Sequence, residues 1–461
     1  MAVWSLIKRQ DFGFGDRFDP EFYQSSFRKI RNRLCNARLL GSCLVDIRYG
    51  LQAEPEYVDH GIEYIRAMNL NAPWIAGDIL QITQNQMINE EYRLKEGDIL
   101  ITRSGANCGS VSLITNRFAG ATFGSYTIRL RTNSETDPFT LFAFLLTNAG
   151  RALTMQARYG SAQPNLSIPY LKNLILVPKF SKTLTSQVQS KVLDAINTAH
   201  SETLFYTEAE TELLERIGWE TLRKKRNKLS YIVSFNKLIE SNRTDAEFFQ
   251  SQYAYLQKHL KQLNADSIDS IVTYCVRGVQ PLYTESGSVR VVNSKHLGAT
   301  QIDFDNLETT TAEFFNRRDI EYAQLRKNDV LVYATGAYIG RTNIYLSDEA
   351  AIASNHVTIL RVNRGICNPV YLALFLNSPA GMIQAAQYAT GSAQRELYPH
   401  HIRQFLVFIP RNKNGSIDLE WQKRLAAKVK ASIVAKEKAQ QQLEEAKRLV
   451  EEALKQARNK F

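Results

Sequence analysis

Three short stretches of the 461-residue chain have the residue types of a catalytic or metal site. FGFGD (Phe12 to Asp16) has the glycines of a methyltransferase cofactor loop, Glu445-Ala446-Lys447 has the spacing of a nuclease ExK element, and His400-His401 places two imidazoles side by side. Each is explained better by its surroundings. No strand pattern precedes FGFGD, and no NPPY-type or DPPY-type tetrapeptide follows it. NPVY at Asn368 to Tyr371 reads as a helix start, with a PFTL counterpart earlier in the chain. The ExK triplet lies in a heptad tail, where acidic and basic residues form a solvated face. Adjacent histidines point in different directions, and the seven histidines are scattered. GxxxxGK[ST], HExxH, HxE...PCxxC and GxSxG do not occur, which leaves no nucleotide, zinc or serine-hydrolase signature.

The elements that would position a site repeat themselves. RFDPEFYQSSF (Arg17 to Phe27) returns as RTDAEFFQSQY (Arg243 to Tyr253). LKEGDILITRSGANCG (Leu94 to Gly109) returns as LRKNDVLVYATGAYIG (Leu325 to Gly340), keeping Leu, Asp, Leu and both glycines. PFTLFAFLLTNAG (Pro138 to Gly150) matches PVYLALFLNSPAG (Pro369 to Gly381), and GSAQPNL (Gly160 to Leu166) matches GSAQREL (Gly391 to Leu397). The copies keep their order at an offset of 226 to 232 residues, so the chain is a duplication of a unit of about 230 residues.

Within a unit, short β-branched runs such as DILIT, VSLIT, YTIRL, DVLVYA and HVTIL read as strands. PFTLFAFLLTNAGRAL reads as one helix with proline in its first turn. Each unit closes on a long stretch without Pro or Gly, Phe180 to Ile217 and Ser416 to Phe461. Val188, Val192, Ala195, Ala199, Tyr206, Ala209 and Leu213 form one apolar seam. Leu425, Val429, Ser432, Ala439, Leu443, Ala446, Val450 and Ala453 form the other, as in coiled coils. Gly218 interrupts or ends the first helix, and Lys436 interrupts the second seam. If the halves are related by a pseudo-two-fold axis, residues 4 to 16 correspond to 230 to 242 and the termini lie close together.

Composition narrows the class. The chain is 44% hydrophobic and 22% charged, with 12 Pro and 23 Gly, which excludes disorder, collagen and a disulfide scaffold. The longest apolar runs, Phe139 to Leu146 and Val370 to Leu376, fall well short of the ~20 residues of a bilayer span. No secretory signal is expected, and five dispersed cysteines without CxxC fit a reducing cytoplasm. A length prior of ~150 residues per domain suggests about three domains. The net charge of +11 suits a polyanion such as nucleic acid, but it is spread thinly: +4 over residues 1–180, +1 over 181–229, +2 over 230–415 and +4 over 416–461. The cluster RKKRNK (Arg223 to Lys228) could touch backbone phosphate or complement a helix C-terminus.

Two diverged units, each with an Arg-x-Asp-x-Glu-Phe-aromatic opening, a DIL...G...G hairpin, GSAQ before a Pro-terminated strand and a closing long helix, resemble the specificity subunit of type I restriction-modification systems. The resemblance spans essentially the whole chain and rests on the order of motifs, duplicated. It implies an α+β fold: two tandem, pseudo-two-fold-related mixed α/β target recognition domains, separated and followed by long helices that form an antiparallel coiled coil. The implied boundaries are 1–180 and 230–415 for the recognition domains, with helical spacers at 181–229 and 416–461.

The implied function is non-catalytic recognition of a bipartite, asymmetric target in double-stranded DNA, as part of phage defence. Methyltransferase subunits, two of them, and ATP-dependent restriction endonuclease subunits are the implied partners. S-adenosylmethionine and ATP with Mg belong to those partners, with no cofactor or metal in this chain. A pseudo-dimer in one chain can present two different half-sites with two-fold geometry, and a helix of ~45 residues, roughly 65 Å, could space them. The alternatives are a coiled-coil protein-binding scaffold without sequence readout, and the recognition half of a broken fusion enzyme.

Base readout needs paired donors and acceptors on elements that reach a groove. The implied DNA-binding residues are Arg103, Ser104 and Asn107 in the first hairpin loop, with Tyr126 and Arg129 nearby. Their counterparts are Thr335, Tyr338 and Arg341, with Asn355 and His356. Gly105, Gly109, Gly336 and Gly340 serve turn geometry. Gln163 and Gln394 are the same in both copies, which suits structure or phosphate positioning better than specificity.

Overall fold

The computed structural model describes residues 17, 19–34, 37–52, 54–71, 73–84, 89–160, 163–224, 230–391 and 394–458. The chain divides into two compact units, residues 1–199 with 437–461 and residues 200–436. FGFGD and most of RKKRNK lie outside the described residues, as do both termini.

In the first unit the order is α1 (Ser25–Arg33), β1 (Leu44–Tyr49), β2 (Ile99–Thr102), β3 (Val111–Leu113), β4 (Thr127–Thr132), α2 (Pro138–Leu146), α3 (Asn148–Gln156), α4 (Ile168–Leu174) and the start of α5 (Lys182–Ile217). The strands form one antiparallel sheet in the order β1-β4-β2-β3, with Ile128 opposite both Tyr49 and Ile101. β2 is buried on both faces, which is why its sequence runs apolar instead of alternating. Ile99 and Ile101 pack with Phe142 and Phe144 of α2, whereas Leu100 packs on the other side with Ile65 and Phe123. Ile65 and Phe123 belong to a second, four-stranded sheet built from Tyr57–Val58, Ile62–Ile65, Leu80–Ile82 and Thr122–Phe123.

The second unit has α6 (Ser251–Gln262), β5 (Val272–Arg277), β6 (Asp329–Tyr333), β7 (Thr342–Tyr345), β8 (Val357–Val362), α7 (Pro369–Asn377), α8 (Pro379–Tyr388) and the start of α9 (Leu419–Arg458). Its sheet order, β5-β8-β6-β7, repeats that of the first unit strand for strand. The additional sheet here has three strands, Val289–Val292, Glu308–Thr310 and Ala351–Ala353.

The stretch read as one helix, PFTLFAFLLTNAGRAL, is two. Thr147 has ψ 164° and caps α3, its hydroxyl oxygen accepting from the Gly150 N–H at 3.1 Å. The chain turns so tightly that a Cβ on Gly150 would lie 2.2 Å from the Phe144 carbonyl oxygen, and Gly381 after Ser378 is equally confined against Leu376. Only glycine fits either corner. The starts of α2 and α7 follow the sequence reading: the Asp137 carboxylate accepts from the Thr140 N–H at 2.7 Å, and Asn368 Oδ1 accepts from the Val370 N–H at 2.9 Å.

The long helices pair inside each unit as the seams predict. In the first unit Val188, Val192 and Ala195 share a core with Leu443, Ala446 and Val450, and Lys191 pairs with Glu445. In the second, Ala209 and Leu213 pack with Leu425 and Val429, while Glu208 meets Lys428 at 3.1 Å and Glu212 meets Arg424. Four residues forward on α5 are four residues back on α9, so the pairing is antiparallel. Gly218, at φ 74°, ends α5.

Candidate nucleic-acid interface

In the first unit the turn between β2 and β3 is closed by Thr102 N–H to Ser110 O at 2.9 Å and Gly109 N–H to Thr102 O at 2.8 Å. Gly105 (φ 92°) and Gly109 (φ 87°) supply its left-handed positions. Two other loops are laced to it through main-chain bonds. Arg103 N–H donates to Tyr126 O at 2.8 Å, Leu166 N–H to Arg103 O at 2.8 Å, and Gly105 N–H to Pro164 O at 3.2 Å. This lacing brings Arg103, Ser104, Asn107 and Tyr126 to one tip. Tyr126 is 63% exposed, Asn107 is exposed, and Arg103 and Ser104 are half-buried. The Arg103 guanidinium lies 4.5 Å over the Tyr49 ring, and its Nε has no hydrogen-bond partner among the described residues. It is a flat, oriented donor group.

The second unit builds the same tip from the same three bonds: Ala334 N–H to His356 O at 2.9 Å, Leu397 N–H to Ala334 O at 2.8 Å, and Gly336 N–H to Arg395 O at 3.1 Å. The side chains differ. Ala334 stands where the first unit has Arg103, His356 replaces Tyr126, Arg277 replaces Tyr49 and Glu396 replaces Asn165. Arg277 donates to Asn355 O and to the Thr335 hydroxyl, sits 3.4 Å from Glu396 and lies 5.4 Å over the Tyr398 ring. Tyr398 OH donates to Glu396, and this bond and Arg277 hold the carboxyl below the usual carboxylate range. Tyr338 is 57% exposed, with the Arg341 guanidinium 4.0 Å over its ring. Asn355 and His356 are half-buried, and Asn355 Oδ1 and His356 Nδ1 have no hydrogen-bond partner among the described residues.

Two of the sequence candidates face inward. Arg129 is 1% exposed, donating to Glu91 O at 2.7 Å, to Arg93 O at 3.2 Å and to the Asp46 carboxylate. Thr335 is 4% exposed, its hydroxyl occupied by Arg277. The reason is register: Arg129 lies on the central strand β4, and its side chain points into the fold beneath the tip. Both residues hold the frame and are left out of the interface.

The repeated motifs turn out to be that frame. Asp98 accepts from Arg131 Nε and Nη2, both at 2.7 Å, and from the Lys95 N–H at 2.8 Å. Asp329 does the same with Arg361, at 2.8 and 3.0 Å, and with the Arg326 N–H at 2.8 Å. In the opening motif, Arg17 clasps Asp19 and lies 5.0 Å over Phe22, as Arg243 clasps Asp245 and lies 4.8 Å over Phe248. The arginine lowers the pKa of each of these two carboxyls.

Sequence reasoning missed Tyr49, Arg277, Glu396 and Tyr398. Glu396 was within reach, because it lies two residues after the shared GSAQ, in the short stretch where the copies part. His400 and His401 also differ from expectation. Their rings approach to 4.1 Å on one short helical turn, packed with Tyr398 and Tyr388, and burial pushes the His401 pKa down to about 4. Among the described residues no group of three His, Cys, Asp or Glu could hold a metal ion, and no helix is long and apolar enough to cross a membrane.

Comparison with a family model bears out, over part of the chain, the resemblance read from the sequence. Residues 56–204 match the family model described as type I restriction modification DNA specificity domain. No curated protein matches. Among solved structures, the S subunit of a type I restriction-modification system from M. genitalium aligns over 90% of this chain and 94% of its own, at 12% identity and a TM-score of 0.38. The HsdS subunit from Thermoanaerobacter tengcongensis aligns over 91% and 95%, at 13% identity and a TM-score of 0.28. A chain from a study of complex assembly and conformational transition of the type I R-M system aligns over 91% and 96%, at 13% identity and a TM-score of 0.29.

Proposed function

We propose that this chain, whose residues 56–204 match the type I restriction modification DNA specificity domain, is the sequence-reading subunit of such a complex and that each unit reads one half of a bipartite target. The observation that carries the reading is a frame built twice with the same hydrogen bonds whose exposed tips differ. A reader of two unlike half-sites needs that combination: common struts to fix the backbone, and divergent side chains to contact base edges.

The tips proposed to touch DNA are Arg103, Ser104, Asn107 and Tyr126 in one unit, and Tyr338, Arg341, Asn355 and His356 in the other. The paired helices α5 and α9 are the proposed spacer, of 36 and 40 residues. At ~1.5 Å per residue they are about 54 and 60 Å long, against about 34–36 Å per turn of B-DNA. The chain itself is non-catalytic in this reading. Methyl transfer from S-adenosylmethionine and ATP-driven cleavage with Mg belong to two methyltransferase subunits and to the endonuclease subunits that dock on it.

The test is reconstitution. The purified chain is expected to show neither methyltransferase nor nuclease activity. With its methyltransferase partner it is expected to bind one DNA sequence specifically, and more weakly as salt rises. Catalysis by the chain alone, or an assembled complex without sequence preference, would contradict the reading; the latter outcome would favour a protein-binding scaffold.

A further inference from the structure

The two tips share a frame but present different hydrogen-bonding groups at one matching corner. In the first unit the functional group over Tyr49 is the Arg103 guanidinium, a donor. At the matching corner of the second unit Arg103 is replaced by Ala334, and the residue bridged to the turn is Glu396, paired in the backbone with Thr335. The Glu396 side chain is 33% exposed. Arg277 lies 3.4 Å from Oε1 and the Tyr398 hydroxyl donates to Oε2, so both oxygens are fixed in direction while part of the group faces solvent. Arg277 is itself held by Asn355 O and by the Thr335 hydroxyl. At neutral pH the carboxylate is ionised and can only accept.

From this geometry we propose that Glu396 is a specificity-determining residue of the second unit, accepting a hydrogen bond from the exocyclic amino group of a cytosine, with Arg277 and Tyr398 as its positioning residues. The inference rests on the proposed function and goes further by assigning a base type to one half of the target. The chemistry selects among the four bases. Guanine and thymine present only acceptor atoms in the major groove, which a carboxylate repels. Adenine presents its amino group beside the N7 acceptor, and cytosine presents an amino donor alone. In the first unit the matching position is Asn165, whose amide nitrogen donates to Gln163 O, so this acceptor-only group is confined to one half.

Glu396→Gln is the direct test, because a carboxamide keeps the shape and adds a donor that suits adenine N6 and N7. The chain is assembled with its methyltransferase partner, and binding is measured on a library of DNA duplexes randomised across the target. The wild-type complex is expected to require cytosine at one position of one half. Glu396→Gln should weaken that preference by about 5- to 150-fold, the range for one good base contact, and admit adenine at that position, leaving the other half unchanged. Tyr398→Phe, which removes only the positioning hydroxyl, should relax the same position less. An unchanged profile in both variants would overturn the inference and leave the proposed function standing. A wild-type complex with no sequence preference would instead overturn the proposed function.

Discussion

Asp329→Ala is expected to destabilise the second unit by about 3–5 kcal/mol, the range for removing one partner of a buried ion pair. Asp329 is 2% exposed and accepts three hydrogen bonds, two from Arg361 and one from the Arg326 N–H. Its removal leaves a charged guanidinium, its side chain only 17% exposed, without its carboxylate, and a backbone N–H without an acceptor. The contrast is Asp269, whose pair with Arg403 has side chains 63% and 38% exposed, so that Asp269→Ala is expected to cost under about 1 kcal/mol. Urea unfolding of the two variants against the parent chain checks both. A loss below ~1 kcal/mol for Asp329→Ala would show that this repeated Asp–Arg pair is not a strut.

Arg103→Ala and Arg129→Ala should part company, although sequence reading places both residues among the DNA contacts. Arg103 rests on Tyr49 at the half-buried tip, so its loss forfeits a cation–π contact of about 0.5–1 kcal/mol and leaves the fold intact. Its effect should appear in recognition: a loss of about 1–3 kcal/mol of discrimination at one base position in one half of the target. Arg129 is enclosed, and its loss strips Asp46 of one of two arginine partners and the Glu91 carbonyl of its arginine donor, while Arg93 O keeps the bond from Arg131. The expected cost is about 3–5 kcal/mol of stability. Thermal unfolding and a base-by-base binding profile separate the two. The assignment fails if Arg103→Ala unfolds the chain while Arg129→Ala leaves stability unchanged.

That contrast marks where the sequence stops being legible. The duplication, the strands, the helix starts at Pro138 and Pro369 and the seams of α5 and α9 follow from periodicity and repetition, because burial imposes a period on apolar residues. The break at Thr147 does not, since a single hydroxyl capping the next helix leaves the apolar pattern unaltered. Whether an arginine on a strand faces in or out depends on what covers that face, and Arg129 is covered by the 91–93 segment, far away in sequence. Glu396 and Arg277 meet across 119 residues through a register that only the folded sheet fixes. The conserved half of each repeat is frame, so the residues most visible to a repeat search are those with the least to say about the target.

The central claim, that two like frames read two unlike half-sites, is tested most directly by the target profile of the assembled complex before and after Asn107→Ala combined with Tyr126→Ala. Both side chains are exposed at the first tip and carry little of the fold. Base preference should weaken in one half of the target, with the other half and the spacing between them retained. Equal loss in both halves, or a profile untouched by the change, would contradict the account.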